Sequence, residues 1–261
     1  MSTINVDIVD PFTLGSDFIT LNGMNVAYTS SGTIQLVNGT WPDKSPAVNS
    51  VVIGQGAGIS AYSNNNVLIG GDAGAVLTAL GNFNIMIGEG AGGAVSSGAN
   101  NTFIGKYAGW YIVSTTTGSN NICIGNQSHA ASSSASNSIT LGNSSITSLR
   151  CAVTSITSLS DARDKKDVAP IELGLDFVKE LNPVKFVWDD RNEEGRHDVA
   201  DSGFIAQDLK ALEDKYNASE VLKLVYDENP EKLEASYGRL VPVLVQAIKD
   251  LAAKVEQLEN K

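Results

Sequence analysis

Cysteine and histidine are scarce in this chain of 261 residues: two of each occur, Cys123, Cys151, His129 and His197. Two thiols cannot build a disulfide framework or a thiolate zinc site, and two imidazoles leave little for a metal cluster. No metal or other cofactor is therefore expected. Basic residues are also few. Eighteen Lys and Arg stand against 29 Asp and Glu, a net charge of −11 at pH 7. A nucleic-acid binder needs a basic footprint, so that class is excluded. No apolar run approaches the ~20 residues of a membrane span, and no membrane insertion is expected. The start, MSTINVDIVDPFTLG, has neither the basic n-region nor the apolar h-region of a signal peptide.

The scarcity is uneven. Residues 1–150 hold three basic and six acidic side chains, while 21 of the 25 glycines lie there. Residues 151–261 are rich in Lys, Glu, Asp and Leu. A β-type or fibrous segment followed by a more helical one is the reading, with its boundary near 148–160.

A phrase recurs six times in the first half: NSVVIGQGAG (49–58), NNVLIGGDAG (65–74), FNIMIGEGAG (83–92), NNTFIGKYAG (100–109), NNICIGNQSH (120–129) and NSITLGNSSI (137–146). The apolar residue before the fixed glycine is Ile53, Ile69, Ile87, Ile104, Ile124 and Leu141, in steps of 16, 18, 17, 20 and 17. Such periods mean stacked units, none of which buries its apolar face alone. Each copy reads as a three-residue strand closed by a glycine with positive φ, with Asn at its start bonding its own turn. So short a strand buries little, which favours several chains around one axis: a fibrous trimeric β-shaft of β-helix or β-prism repeats. A monomeric β-solenoid is the alternative. The apolar register argues against a disordered tract. The phrase resembles head repeats of trimeric adhesins and phage tail fibres.

Alternation in residues 18–28 and 32–39 predicts strands, and Trp41, Pro42 and Pro46 mark a break before the repeats. Residues 1–48 form either a cap or an attachment region, 49–147 the shaft, 148–159 a linker and 160–261 a mainly helical α+β domain. The last segment carries a heptad seam, Tyr237, Val241, Leu244, Ile248, Leu251, Val255 and Leu258, predicting a coiled-coil helix or one helix packed on its own domain. Pro242 suits its first turn. Trp188 and Phe204 read as core, His197 as a solvated loop residue and Gln207 as a contact at a trimer interface.

The phrases SLSDARDKKDVAPI (158–171), LGLDFVKELNPVKFVW (173–188), SGFIAQDLKAL (202–212) and YGRLVPVLVQAIKDLAAKVEQLE (237–259) occur in one collinear order. Together they resemble the endosialidase-type intramolecular chaperone, the autoproteolytic C-terminal domain of many phage tail fibres and tail spikes. The resemblance implies a domain that trimerises, templates the β-shaft and cleaves itself off. It places the nucleophile at Ser160, its base at Lys165 and the scissile bond at Leu159–Ser160. It also implies a homotrimer in a virion, assembled in the host cytoplasm, with a tail or baseplate protein at its N-terminal end and a host receptor or glycan as a further partner.

The spacing has a bland reading too, since Ser-Asp followed by charges is a common helix N-terminus. As a dyad it must bend. Extended, residues 160 and 165 lie roughly 16 Å apart at about 3.3 Å per residue, so the chain turns or another protomer supplies the lysine. A lysine base must lose its proton near neutral pH, which Arg163 and Lys166 would favour as positive neighbours and Asp164 would oppose. Alternatives are an uncleaved fibre that retains an inactive chaperone, a bacterial trimeric adhesin, for which a signal peptide and a membrane barrel are lacking, and a polysaccharide-degrading spike. The last is disfavoured because the shaft offers only Asp72 and Glu89 as acids.

Overall fold

A computed structural model describes residues 19–21, 24–28, 34–37, 49–58, 63–110, 116–153, 155–191 and 195–261. Trp41, Pro42 and Pro46 lie outside the described residues. The chain divides into two compact units, Met1–Asn143 and Ser144–Lys261.

In the first unit, nine strands among the described residues form one sheet in sequence order. Strands β1 (Ile19–Leu21), β2 (Met24–Tyr28) and β3 (Ile34–Val37) pair antiparallel. From β3 onward the pairing is parallel, through β4 (Val51–Ile53), β5 (Val67–Ile69), β6 (Ile85–Ile87), β7 (Thr102–Ile104), β8 (Ile122–Ile124) and β9 (Ile139–Leu141). Each repeat phrase is one coil of a β-solenoid, in register with the next: Val52 opposes Leu68, Leu68 opposes Met86, Met86 opposes Phe103 and Phe103 opposes Cys123.

Those middle residues face inward and are buried, together with Ala57, Ala73, Ala91 and Ala108 from the turns. This modifies the expectation that a three-residue strand finds no cover within its own chain. A coil of about 17 residues loops fully round, so its turn alanines close over the inner face of its strand. The apolar residues flanking each middle position point the other way. Ile85, Ile104, Ile124, Ile139 and Leu141 lie exposed along the outside of the sheet.

The asparagines act differently from expectation. They bond between coils rather than within their own turn. Asn84 accepts the Asn101 N–H at Oδ1 (2.9 Å) and donates to Gly98 O (3.0 Å). Asn101 does the same with the Asn121 N–H (2.9 Å) and Gly118 O (3.0 Å). Asn66 and Asn121 extend the ladder, Ser50 and Ser138 end it, and the four asparagines are buried. Buried amides need partners, and in a parallel stack the nearest unmet backbone groups belong to the next coil. The residue before each ladder position (Asn49, Asn65, Asn100, Asn120 or Asn137) adopts positive φ, which asparagine tolerates; Phe83 takes that place in the third coil.

The glycines that follow β4 to β7 are fixed by close approach to the next coil. Gly88 has φ +133°, and a Cβ there would sit 2.5 Å from Gly105 O in the next coil.

In the second unit, α1 (Leu175–Glu180) packs on α4 (Val241–Glu259). A hairpin of β10 (Val184–Asp189) and β11 (His197–Gly203) precedes α2 (Ala206–Lys215) and α3 (Ser219–Leu222). A short pair, β12 (Val225–Tyr226) and β13 (Glu234–Ala235), leads to a 3-10 turn, Tyr237–Leu240, that runs into α4. The core gathers Phe177, Leu209, Leu212, Leu222, Leu224, Leu240 and Val243. Glu213 is buried beside it, and its carboxylate accepts the Leu224 N–H at 2.7 Å.

Pro242 sits in the first turn of α4. Leu240, just before the helix, and Val243 face the core, and Ala247 is buried, while all seven heptad-seam residues are exposed. From Leu251 to the end every residue is exposed. Three sequence readings change here. Trp188 is not core: it lies half-buried on the hairpin, where Arg196 stacks 3.4 Å over its ring and Asp201 accepts its indole N–H at 3.1 Å. A two-stranded hairpin has only its neighbouring side chains to cover a ring. His197 opens β11 rather than lying in a loop, with Nδ1 3.1 Å from Asp189. Phe204 packs at the rim of the core against Tyr237, with ring centroids 5.4 Å apart.

Candidate functional site

In sequence, the two cores are joined by a tract with little structure of its own. Every described residue from 145 to 170 is exposed. Ile146, Leu149, Val153, Ile156 and Leu159 recur along it at three- or four-residue steps with no apolar cover. Regular structure returns only with a single 3-10 turn, Ala162–Asp164.

The turn is built by its own side chains. Asp161 is the N-cap: its Oδ1 accepts the Arg163 N–H at 2.9 Å. The Arg163 guanidinium folds back over the same carboxylate, with Nε 3.0 and 3.2 Å from its two oxygens and Nη2 2.6 Å from Oδ2. This contact holds the Asp161 carboxyl below the usual aspartate range and raises Arg163. Asp164 N–H donates to Asp161 O and Lys165 N–H to Ala162 O, both at 3.2 Å. The chain then leaves the turn extended at Lys165.

The turn brings Lys165 back over Ser160. Lys165 Nζ lies 2.6 Å from Ser160 Oγ and 3.3 Å from Ser160 O. Of the two routes open to the sequence, a bend or a lysine from another protomer, the single chain contains the bend. Leu159, on the other side of the Leu159–Ser160 bond, is fully exposed. Arg163, expected as a positive neighbour of Lys165, is committed to Asp161 instead. Asp164 forms no ion pair with Lys165 among the described residues. His197 lies on the hairpin and Gln207 is exposed on the first turn of α2.

Sequence reasoning missed the Asp161–Arg163 pair. Its signal is the Ser-Asp-x-Arg spacing, which reads equally as the start of a longer helix. It missed Asp250 as well. Asp250 on α4 accepts the Leu175 N–H at 2.9 Å and the Gln246 amide at 2.8 Å, so it caps α1 from across the domain. These bonds lower its carboxyl pKa. They also account for Gly174, where a Cβ would lie 2.1 Å from the Asp250 carboxylate.

Residues 160–217 match the family described as the chaperone of endosialidase, and the match begins at Ser160. No curated protein and no solved structure matches the chain. The likeness to that chaperone family thus covers the first part of the second unit, from Ser160 to Asn217.

Proposed function

We propose that this chain is a phage tail-fibre subunit whose C-terminal domain assembles three copies and then releases itself by cutting Leu159–Ser160. The observation that carries it is the 2.6 Å contact between Lys165 Nζ and Ser160 Oγ at the first residue of the chaperone match.

The chemistry balances without a cofactor. The unprotonated Lys165 amine takes the Ser160 hydroxyl proton as Oγ attacks the Leu159 carbonyl carbon, closing a five-membered ring with the Ser160 backbone. The tetrahedral centre collapses by breaking its bond to the Ser160 nitrogen, which takes the proton back from Lys165. Residue 159 is then esterified to Ser160, and one water hydrolyses the ester to a Leu159 carboxylate and a free Ser160 amine. The exposure of Leu159 suits this opening.

The trimer is supported by three apolar surfaces that lie exposed among the described residues: the outer ladder of the solenoid, the residues from Ile146 to Leu159, and the α4 seam. The last turns of α4 touch no core, and so short an isolated helix is marginal in water. Two further copies supply what each surface lacks. In this reading the N-terminal end joins a tail or baseplate protein, and the shaft meets a host receptor or glycan.

A second reading, an uncleaved fibre that keeps its chaperone, is favoured by one observation: Ser160 and Lys165 are both exposed, without the buried surroundings in which a serine–lysine dyad works. Intact mass of the purified protein under denaturing conditions decides between them. Two fragments meeting at Leu159–Ser160 are expected, and a single full-length species overturns self-cleavage.

A further inference from the structure

We infer that Asp161 and Arg163 form a positioning clamp for the Ser160–Lys165 dyad, shaping the turn that joins them and neutralising the carboxylate adjacent to the serine. This role presupposes self-cleavage at Leu159–Ser160.

Among the described residues, the clamp and its 3-10 turn give the site its local structure. Residues 155–170 reach no core, and the 3-10 turn is three residues long. What keeps residues 160 and 165 from drifting apart is the cap on the Arg163 N–H and the two backbone bonds behind it. Exposed ion pairs contribute little to folding, so the pair does not serve stability. Its effects are local. Asp161 Oδ1 accepts both the Arg163 N–H and its Nε, so one oxygen ties the backbone of the turn to the guanidinium that covers it.

The second effect is electrostatic. A bare carboxylate one residue from the nucleophile would favour the ammonium form of Lys165, which cannot accept a proton. Arg163 engages both oxygens of Asp161 and offsets that charge. The other charged groups within residues 155–170 are Asp164, Lys166 and Asp167, and no helix or strand among the described residues covers them. Arg163 thus acts on the dyad by covering that anion, not by standing beside Lys165 as a cation.

The test is made on the full chain, synthesised in a cell-free system and sampled by intact mass between pH 6 and 9, with oligomeric state followed in parallel. Asp161→Ala is expected to slow cleavage about ten- to hundredfold, the scale of a misplaced reacting group, while trimers still form. Asp161→Asn keeps the acceptor for the Arg163 N–H and is expected to restore most of the rate. Arg163→Ala leaves the cap but uncovers the carboxylate, so the acid limb of the pH–rate profile moves to higher pH and the rate recovers in alkali. Arg163→Lys brings the limb part of the way back. A merely structural pair would change trimer yield without moving the limb. Wild-type rates in Asp161→Ala, or an unmoved limb in Arg163→Ala, overturn the clamp while leaving self-cleavage standing. An intact wild-type trimer removes self-cleavage and the clamp together. Should Asp161→Ala fail to assemble, the limb in Arg163→Ala still decides.

Discussion

At the residue scale, the proposed self-cleavage depends on two atoms 2.6 Å apart, Ser160 Oγ and Lys165 Nζ. Ser160→Ala and Lys165→Ala are each expected to give full-length chains in assembled trimers, because nucleophile and base act as one unit. Lys165→Arg should also remain uncut, since guanidinium does not give up its proton at these pH values. Intact mass beside light scattering checks all three. Asp164→Leu should speed cleavage only slightly, because Asp164 acts on Lys165 through solvent rather than through an ion pair. The serine and lysine were legible as a spaced pair in the sequence. That these six residues fold back on themselves was not, because the bend depends on an aspartate accepting a backbone N–H two residues later.

At the element scale, the solenoid is held by repeated contacts between coils, so defects in one coil act on its neighbours. Asn101→Ala leaves the Asn121 N–H and Gly118 O buried without their partner, a cost of about 2–4 kcal/mol. Gly88→Ala forces an L residue to φ +133° against the next coil and should cost at least about 3 kcal/mol. Thermal unfolding followed through the β signal reads both. In the second unit, Asp250 couples α4 to the start of α1. Its carboxyl pKa is lowered in the folded state, so the stability it contributes is complete above the ordinary aspartate range. That contribution fades as pH falls through the lowered folded value. Acid titration of the domain should therefore show a loss below about pH 4 that Asp250→Asn abolishes. The coils were legible because their apolar residues, glycines and asparagines recur in register. The reach of each asparagine was not, because its partner lies 14 to 20 residues away and is chosen by stacking.

At the scale of the whole molecule, the uncovered apolar surfaces predict how the chain behaves in parts. A chain ending at Leu159 should be insoluble or unassembled when expressed alone. Parallel winding of several chains must find its register before any contact rewards it, and such pairing is slow and prone to aggregate. Soluble trimers from that shortened chain would refute the chaperone role. Leu251→Glu places a charge on the α4 seam beyond the domain core and should give folded monomers or aggregates in place of trimers. Cys151 offers a direct probe, since it is exposed on the tract before the junction. Parallel copies in register should form interchain disulfides there under mild oxidation. Cys123 should not react in the native state, because burial in the solenoid core pushes its thiol up to about 11.

The sequence by itself determined the period of the coils, the change from glycine-rich to charged composition and the order of the chaperone phrases. Each of these is carried by residue type at fixed spacing, which needs no knowledge of distant contacts. Tertiary structure decided which side of each strand is core, because only a closed coil brings Ala57 or Ala91 over Val52 or Met86. It put Trp188 on an open hairpin and drew Arg163 to Asp161, and it joined Gly174 to Asp250 across the domain. These pairings follow from proximity in space, and the heptad spacing that marked α4 as a seam could not say that its own domain leaves that seam uncovered.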